Sequence, residues 1–163
     1  MLALHAASVL AAALATDPLA PAWSGQVQCY SPDSDRRQCS SIGAYRHAPD
    51  GKILNEAIVG ISKSPNIIMT TVAEVQVKQG LICGVVSSKD VEGSVFSVEG
   101  NPASNEQAVV LRQQMTAAMQ PLFGRQVCVS AVGEASVDGA RVPQMDQRVS
   151  WVPAEAGYTV RMP

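Results

Sequence analysis

The residues of this chain best equipped for chemistry are four cysteines, Cys29, Cys39, Cys83 and Cys128. Cysteines serve as metal ligands, as exchange thiols or as structural cross-links. Zinc sites and exchange sites favour a C-x-x-C spacing, and zinc usually recruits histidine as well. No C-x-x-C occurs here, and His47 is the sole histidine beyond residue 15. An even count without those spacings points to two disulfides, for which three pairings exist. The expected pairing is Cys29 with Cys39 and Cys83 with Cys128. The first closes CYSPDSDRRQC, a loop too polar to hold itself by packing. The second joins segments far apart in sequence.

Other chemistries find less support. A serine hydrolase needs a histidine and an acid, and the G-x-S-x-G elbow is absent. Ser40, Ser41 and Asp50 lie near His47 in sequence alone. No carboxylate pair stands out for glycoside cleavage, and aromatic platforms are few at 4%. Asp33-Ser34-Asp35 begins like a calcium loop, but Arg36-Arg37 follows with the wrong charge. GNPASNEQ, before the main helix, lacks a Gly-rich fingerprint and a P-loop lysine. The expectation is therefore no catalytic residue, no metal and no cofactor. A small hydrolase with a site hidden in sequence order, or a thiol/disulfide redox protein, is the alternative.

The remaining candidates are binding residues. Arg36 and Arg37 in the cysteine loop, with Tyr45, Arg46 and His47 on the following hairpin, offer side chains favoured at interfaces. Arg148, Trp151, Tyr158 and Arg161 could form a cross-strand ladder near the C-terminus. A net charge of -2 with interspersed signs gives no basic stripe, so nucleic acid is not an expected partner.

These residues need a scaffold, and 163 residues suit one domain. Residues 1–15 contain the uncharged apolar run LALHAASVLAAALA, ending in Ala13-Leu14-Ala15, a small-x-small pattern that signal peptidase cuts. They read as a signal peptide, although the opening lacks Lys or Arg. Ala20-Pro21-Ala22 is a second cleavage option. No other apolar stretch is long enough to span a bilayer, so no membrane span is expected after cleavage. Residues 16–25 read as an extended, Pro-containing lead-in, and 26–163 as a single α+β domain.

Within that domain, Ser41–His47 and Lys52–Val59 flank Ala48-Pro49-Asp50-Gly51 and read as a hairpin. Ile67–Lys78 alternates in its later half, with Ala73, Val75 and Val77 opposite Glu74, Gln76 and Lys78. Gln79-Gly80 turns it into Leu81–Ser88, and Ser94–Glu99 follows. A helix is expected from Asn105 to Leu122, capped by Ser104 and Gln107, with Pro121 favouring an end near Met119. Its apolar stripe is Ala108, Leu111, Met115, Ala118, Met119 and Leu122, with Arg112, Gln113, Thr116 and Gln120 opposite. Further strands are Gln126–Val132, Arg141-Val142, Gln147–Val152 and Tyr158–Met162. The fold class is α+β: a largely antiparallel sheet of short strands, one main amphipathic helix on one face, and two disulfides.

The order of these features has a counterpart. Trp23–Gly25, the CY-x-PD loop at Cys29–Asp33, Cys83-Gly84, the helix, Val127-Cys128 and Gly157–Arg161 together resemble small uncharacterised exported proteins of alphaproteobacteria. The resemblance implies a bacterial envelope setting and no particular activity. The expected function is a non-enzymatic periplasmic or secreted module that binds a protein or envelope component.

Overall fold

The structure, a computed structural model, describes residues 16–163. The expected signal peptide, residues 1–15, lies outside the described residues. The lead-in is not extended throughout: α1 (Ala20–Trp23) forms a single helical turn. The Asp17 carboxylate accepts from the backbone N–H of Leu19 at 2.9 Å, and Pro21 supplies helical φ at the first positions.

Two strand ladders build the domain. β1 (Gln26–Tyr30), β2 (Gln38–Cys39) and β3 (Ser41–His47) surround the cysteine loop. β4 (Ile53–Lys63), β5 (Asn66–Lys78) and β6 (Leu81–Val85) follow as hairpins. Then come α2 (Ser88–Glu92), β7 (Val95–Val98), β8 (Asn101–Pro102) and α3 (Asn105–Met119). β9 (Gln126–Val129), β10 (Ala135–Val137), β11 (Ala140–Arg141), β12 (Val149–Pro153) and β13 (Thr159–Val160) complete the chain. The main sheet runs β11-β10-β9-β6-β5-β4-β3-β1-β12, with β7 and β8 branching from β5. Every pairing in it is antiparallel, whereas β13 pairs with β2 in parallel.

Turn chemistry sets the register. Gly51 adopts φ +84° and donates to the carbonyl of Ala48, closing the β3–β4 turn. Gln79 and Gly80 both take positive φ, the geometry that suits a two-residue hairpin. The sheet curls: segment 142–148 carries the chain from β11, at one end, to β12, at the other. Such a segment reaches at most roughly 25 Å.

Both expected disulfides form. Cys29–Cys39 sits in a core cluster with Ile42 and Val152, and Cys83–Cys128 joins residues directly paired across β6 and β9. α3 packs on one face of the sheet, where Leu111 and Met115 meet Met69, Phe96, Ile67 and Val98. Ser104 and Gln107 form the full capping box, and α3 ends at Met119 before Pro121. Its faces differ from the expected stripe, since Ala118 is exposed while Arg112 and Thr116 are half-buried. The reason is α2 beside it: the Arg112 guanidinium reaches the buried Ser94 carbonyl at 3.2 Å.

Candidate functional site

β5 shares one of its edges between two strands. Ile67–Thr70 pair with β7, and Gln76–Lys78 pair with β6. Between them, Thr71–Val75 face no strand on that side, so the sheet forks. β6 leaves β5 after Cys83 because it follows β9, to which the Cys83–Cys128 bond holds it. α2 closes the head of the fork. Ser87 caps it by accepting from Lys89 N–H, and the Asp90 carbonyl accepts from Thr71 Oγ1 at 3.0 Å and Ser94 Oγ at 2.8 Å.

The result is a slot through the sheet. On one side, Met69, Thr71 and Ala73 line a cavity of about 220 Å³ with Val86, Val91, Met119 and Val127. On the other, Glu74, Gln76 and Lys78 line a groove of about 320 Å³. The period-2 alternation of a strand sorts these side chains to opposite faces. Gly84, Val85, Ser87 and Asp90 border both openings. Gly84 sits at the narrow point, where a Cβ would lie 3.3 Å from the Glu74 carbonyl oxygen and the β5 backbone would have to yield by a few tenths of an ångström.

Among the described residues, Asp90 is the one charged residue lining the cavity. Burial pushes its carboxyl above the ordinary carboxylate value, opposed by a hydrogen bond from the Ser87 backbone. In the groove, Glu74 is engaged by Lys52 at 2.8 Å, a contact that raises the lysine. Among the described residues no histidine or cysteine thiol lines either opening; the hydroxyls of Thr71 and Ser94 are committed to the Asp90 carbonyl. The arrangement can receive an apolar group and orient it with a carboxylate.

The binding residues singled out from sequence line neither opening. Arg36 and Arg37 sit in the turn before β2, while Arg46 and His47 end β3. Arg36 makes a loose 3.8 Å contact with Asp33 on the surface. Arg37 holds the C-terminal segment through the Ala156 carbonyl at 3.3 Å. Tyr45 is half-buried, and its hydroxyl donates to Gln28 Oε1, as does that of Tyr30 at 2.8 Å. Arg46 is exposed, and His47 stacks on Trp23 with ring centroids 4.4 Å apart.

The C-terminal residues form no ladder either. Arg148 donates to the Pro32 carbonyl and Arg161 to that of Ser31, so both clamp the cysteine loop. Trp151 lies beside Tyr45 at 6.0 Å, and Tyr158 packs on the Cys29–Cys39 cluster.

α2 and Asp90 were missed because Leu81–Ser88 reads as one strand. A signal for them exists: Ser87-Ser88-Lys89-Asp90 is an S-x-x-D capping sequence. Among the described residues, no helix is long and apolar enough to cross a membrane, and no cluster of His, Cys, Asp or Glu could hold a metal ion. In comparison with known proteins, the chain matches no family model, no curated protein and no solved structure.

Proposed function

We propose that this protein is a non-enzymatic periplasmic or secreted module that binds a protein or other envelope component through the slot beside α2. The observation that carries the reading is the cavity itself. Its apolar walls stand open to solvent, and Val85 at its rim is 53% exposed. Apolar surface left open in this way commonly marks a binding site.

Two disulfides favour an oxidising compartment outside the cytoplasm. Leader cleavage after Ala15 agrees with the fold. Cleavage after Ala22 would discard Leu19, whose side chain is 0% exposed, and cut α1 in two. The exported setting also fits the sequence resemblance to alphaproteobacterial envelope proteins.

A photo-crosslinking side chain placed at Val85, with Val132 as the control site, tests the slot in cells. An adduct at position 85 and none at 132 is expected. Absence of any adduct at 85 removes the slot as the recognition face. Mass analysis of the same material should find Thr16 at the N-terminus and no thiol open to alkylation before reduction.

A further inference from the structure

We infer that the slot receives an extended segment of a partner protein, which seats one apolar side chain in the cavity and a lysine or arginine beside Asp90. This rests on the slot being the recognition face and names what it recognises. Size favours a side chain over a free ligand. A cavity of about 220 Å³ exceeds the ~150 Å³ that holds benzene, yet falls below the roughly 300–1,000 Å³ of sites that enclose a whole small molecule. One aromatic or branched aliphatic anchor fills it, as single buried anchors do at protein interfaces.

Charge decides the neighbour of that anchor. Asp90 is the cavity's only charged liner, and no ion pair engages its carboxylate among the described residues. The other charges near the slot lie along the opposite groove: Lys78, Lys89 and Glu74, the last engaged by Lys52. An incoming cation on the cavity side therefore meets one carboxylate whose partner is the Ser87 backbone N–H and not another charge. The receptor is also preorganised, because Thr71 and Ser94 fix the Asp90 backbone from two elements. Exposed Val85 extends the apolar contact beyond the cavity to the residues that flank an anchor.

The test is an amide-resolved NMR titration of the mature protein with three blocked dipeptides: phenylalanyl-lysine, phenylalanyl-glutamate and alanyl-lysine. Benzylamine serves as the free small-molecule probe. The phenylalanyl-lysine peptide should shift the amides of Gly84, Val85, Val86 and Asp90 and bind about three- to fivefold tighter than phenylalanyl-glutamate. Alanyl-lysine should fail. Asp90→Asn, which keeps a capping oxygen for Ser87, should abolish the lysine preference and leave the phenylalanine contact. Equal binding of the lysine and glutamate peptides overturns the cation assignment while the slot stands. Absence of shifts at the slot with every peptide overturns the slot itself. Benzylamine binding as tightly as the lysine peptide overturns the protein segment in favour of a small amine.

Discussion

The backbone N–H of Gln147 donates to the Gly133 carbonyl at 3.0 Å, and that bond ties the β9–β10 turn to the segment entering β12. The two lie at opposite ends of the strand order, so the contact closes the curl of the sheet. Gly133 is there because nothing larger fits. Its φ is +91°, and a Cβ would sit 1.6 Å from the Gln147 carbonyl oxygen. Gly133→Ala should therefore cost at least about 3 kcal/mol, combining positive-φ strain with a backbone displacement. Gly139→Ala isolates the first of these. Its φ is +81°, but nothing lies within 4 Å, so about 1 kcal/mol is expected. Urea unfolding of the two variants measures the difference.

A second prediction concerns the phenols that share Gln28. The Gln28 side chain is fully buried, and its Oε1 accepts from both Tyr30 and Tyr45. Burial raises both tyrosines, with each other's proximity adding to the rise at Tyr45. In the folded state these two stay protonated through the ordinary tyrosine range, so the unfolded chain loses protons first. Stability is therefore intact below pH ~10 and falls as pH climbs above it. Alkaline ultraviolet titration of the native protein should show fewer than its three tyrosines ionising, the remainder appearing on unfolding. Tyr45→Phe should cost about 1–2 kcal/mol, since it removes a buried hydrogen bond.

The two disulfides should differ in what they contribute. Cys83–Cys128 spans a sequence separation of 45 and Cys29–Cys39 one of 10. Loop-closure entropy gives about 4 kcal/mol for the longer and about 3 kcal/mol for the shorter. Replacing Cys83 and Cys128 together by alanine should lower the urea midpoint more than replacing Cys29 and Cys39. It should also perturb the slot amides, because β6 leaves the fork along β9. An equal or reversed order would show that packing around the fully buried Cys29 and Cys39 outweighs the entropy difference.

Much of this architecture was legible because its signals are local. Ser104 with Gln107, Pro49-Asp50-Gly51 and Gln79-Gly80 each fix a boundary through neighbours in sequence, and each boundary falls within a residue or two of the reading. β1 was missed: QVQCY lacks clean alternation, because buried Gln28 occupies a place where an apolar residue is expected. The slot was illegible for a different reason. It arises where β6 and β7 divide one edge of β5, and no periodicity within a strand reports its partner's departure. The alternation in Ala73–Lys78 did separate Glu74, Gln76 and Lys78, which line the groove, from Ala73, which lines the cavity; Val75 and Val77 line neither. Of the candidates Arg36, Arg37, Tyr45, Arg46 and His47, the structure gives Arg37, Tyr45 and His47 partners that sequence order does not show: the Ala156 carbonyl, Gln28 and Trp23.

Two aspartates should respond to acid in opposite senses. Asp146 accepts two bonds from the Arg141 guanidinium, at 2.7 and 2.8 Å, and one from the Ala135 N–H at 2.8 Å. The hydrogen bond from Arg141, followed by that from the Ala135 backbone, lowers its carboxyl from 3.8 to about 2. Between those values the unfolded chain binds more protons, so the stabilisation is complete above pH 3.8 and is lost as pH falls through about 2. Asp90 is raised instead, mainly by desolvation. Its ionised form is penalised in the fold, so that penalty is absent below the unfolded value and develops as pH rises through the folded one. Asp146→Asn should then destabilise at pH 7 and lose much of its effect by pH 2. Asp90→Asn should be neutral or slightly stabilising at pH 7 and without effect at pH 2. Urea midpoints for both variants at the two pH values read the signs directly. A destabilising Asp90→Asn at neutral pH would mean that the hydrogen bond from the Ser87 backbone outweighs the cost of burial, so that the ionised carboxylate serves the first turn of α2 before any incoming lysine or arginine.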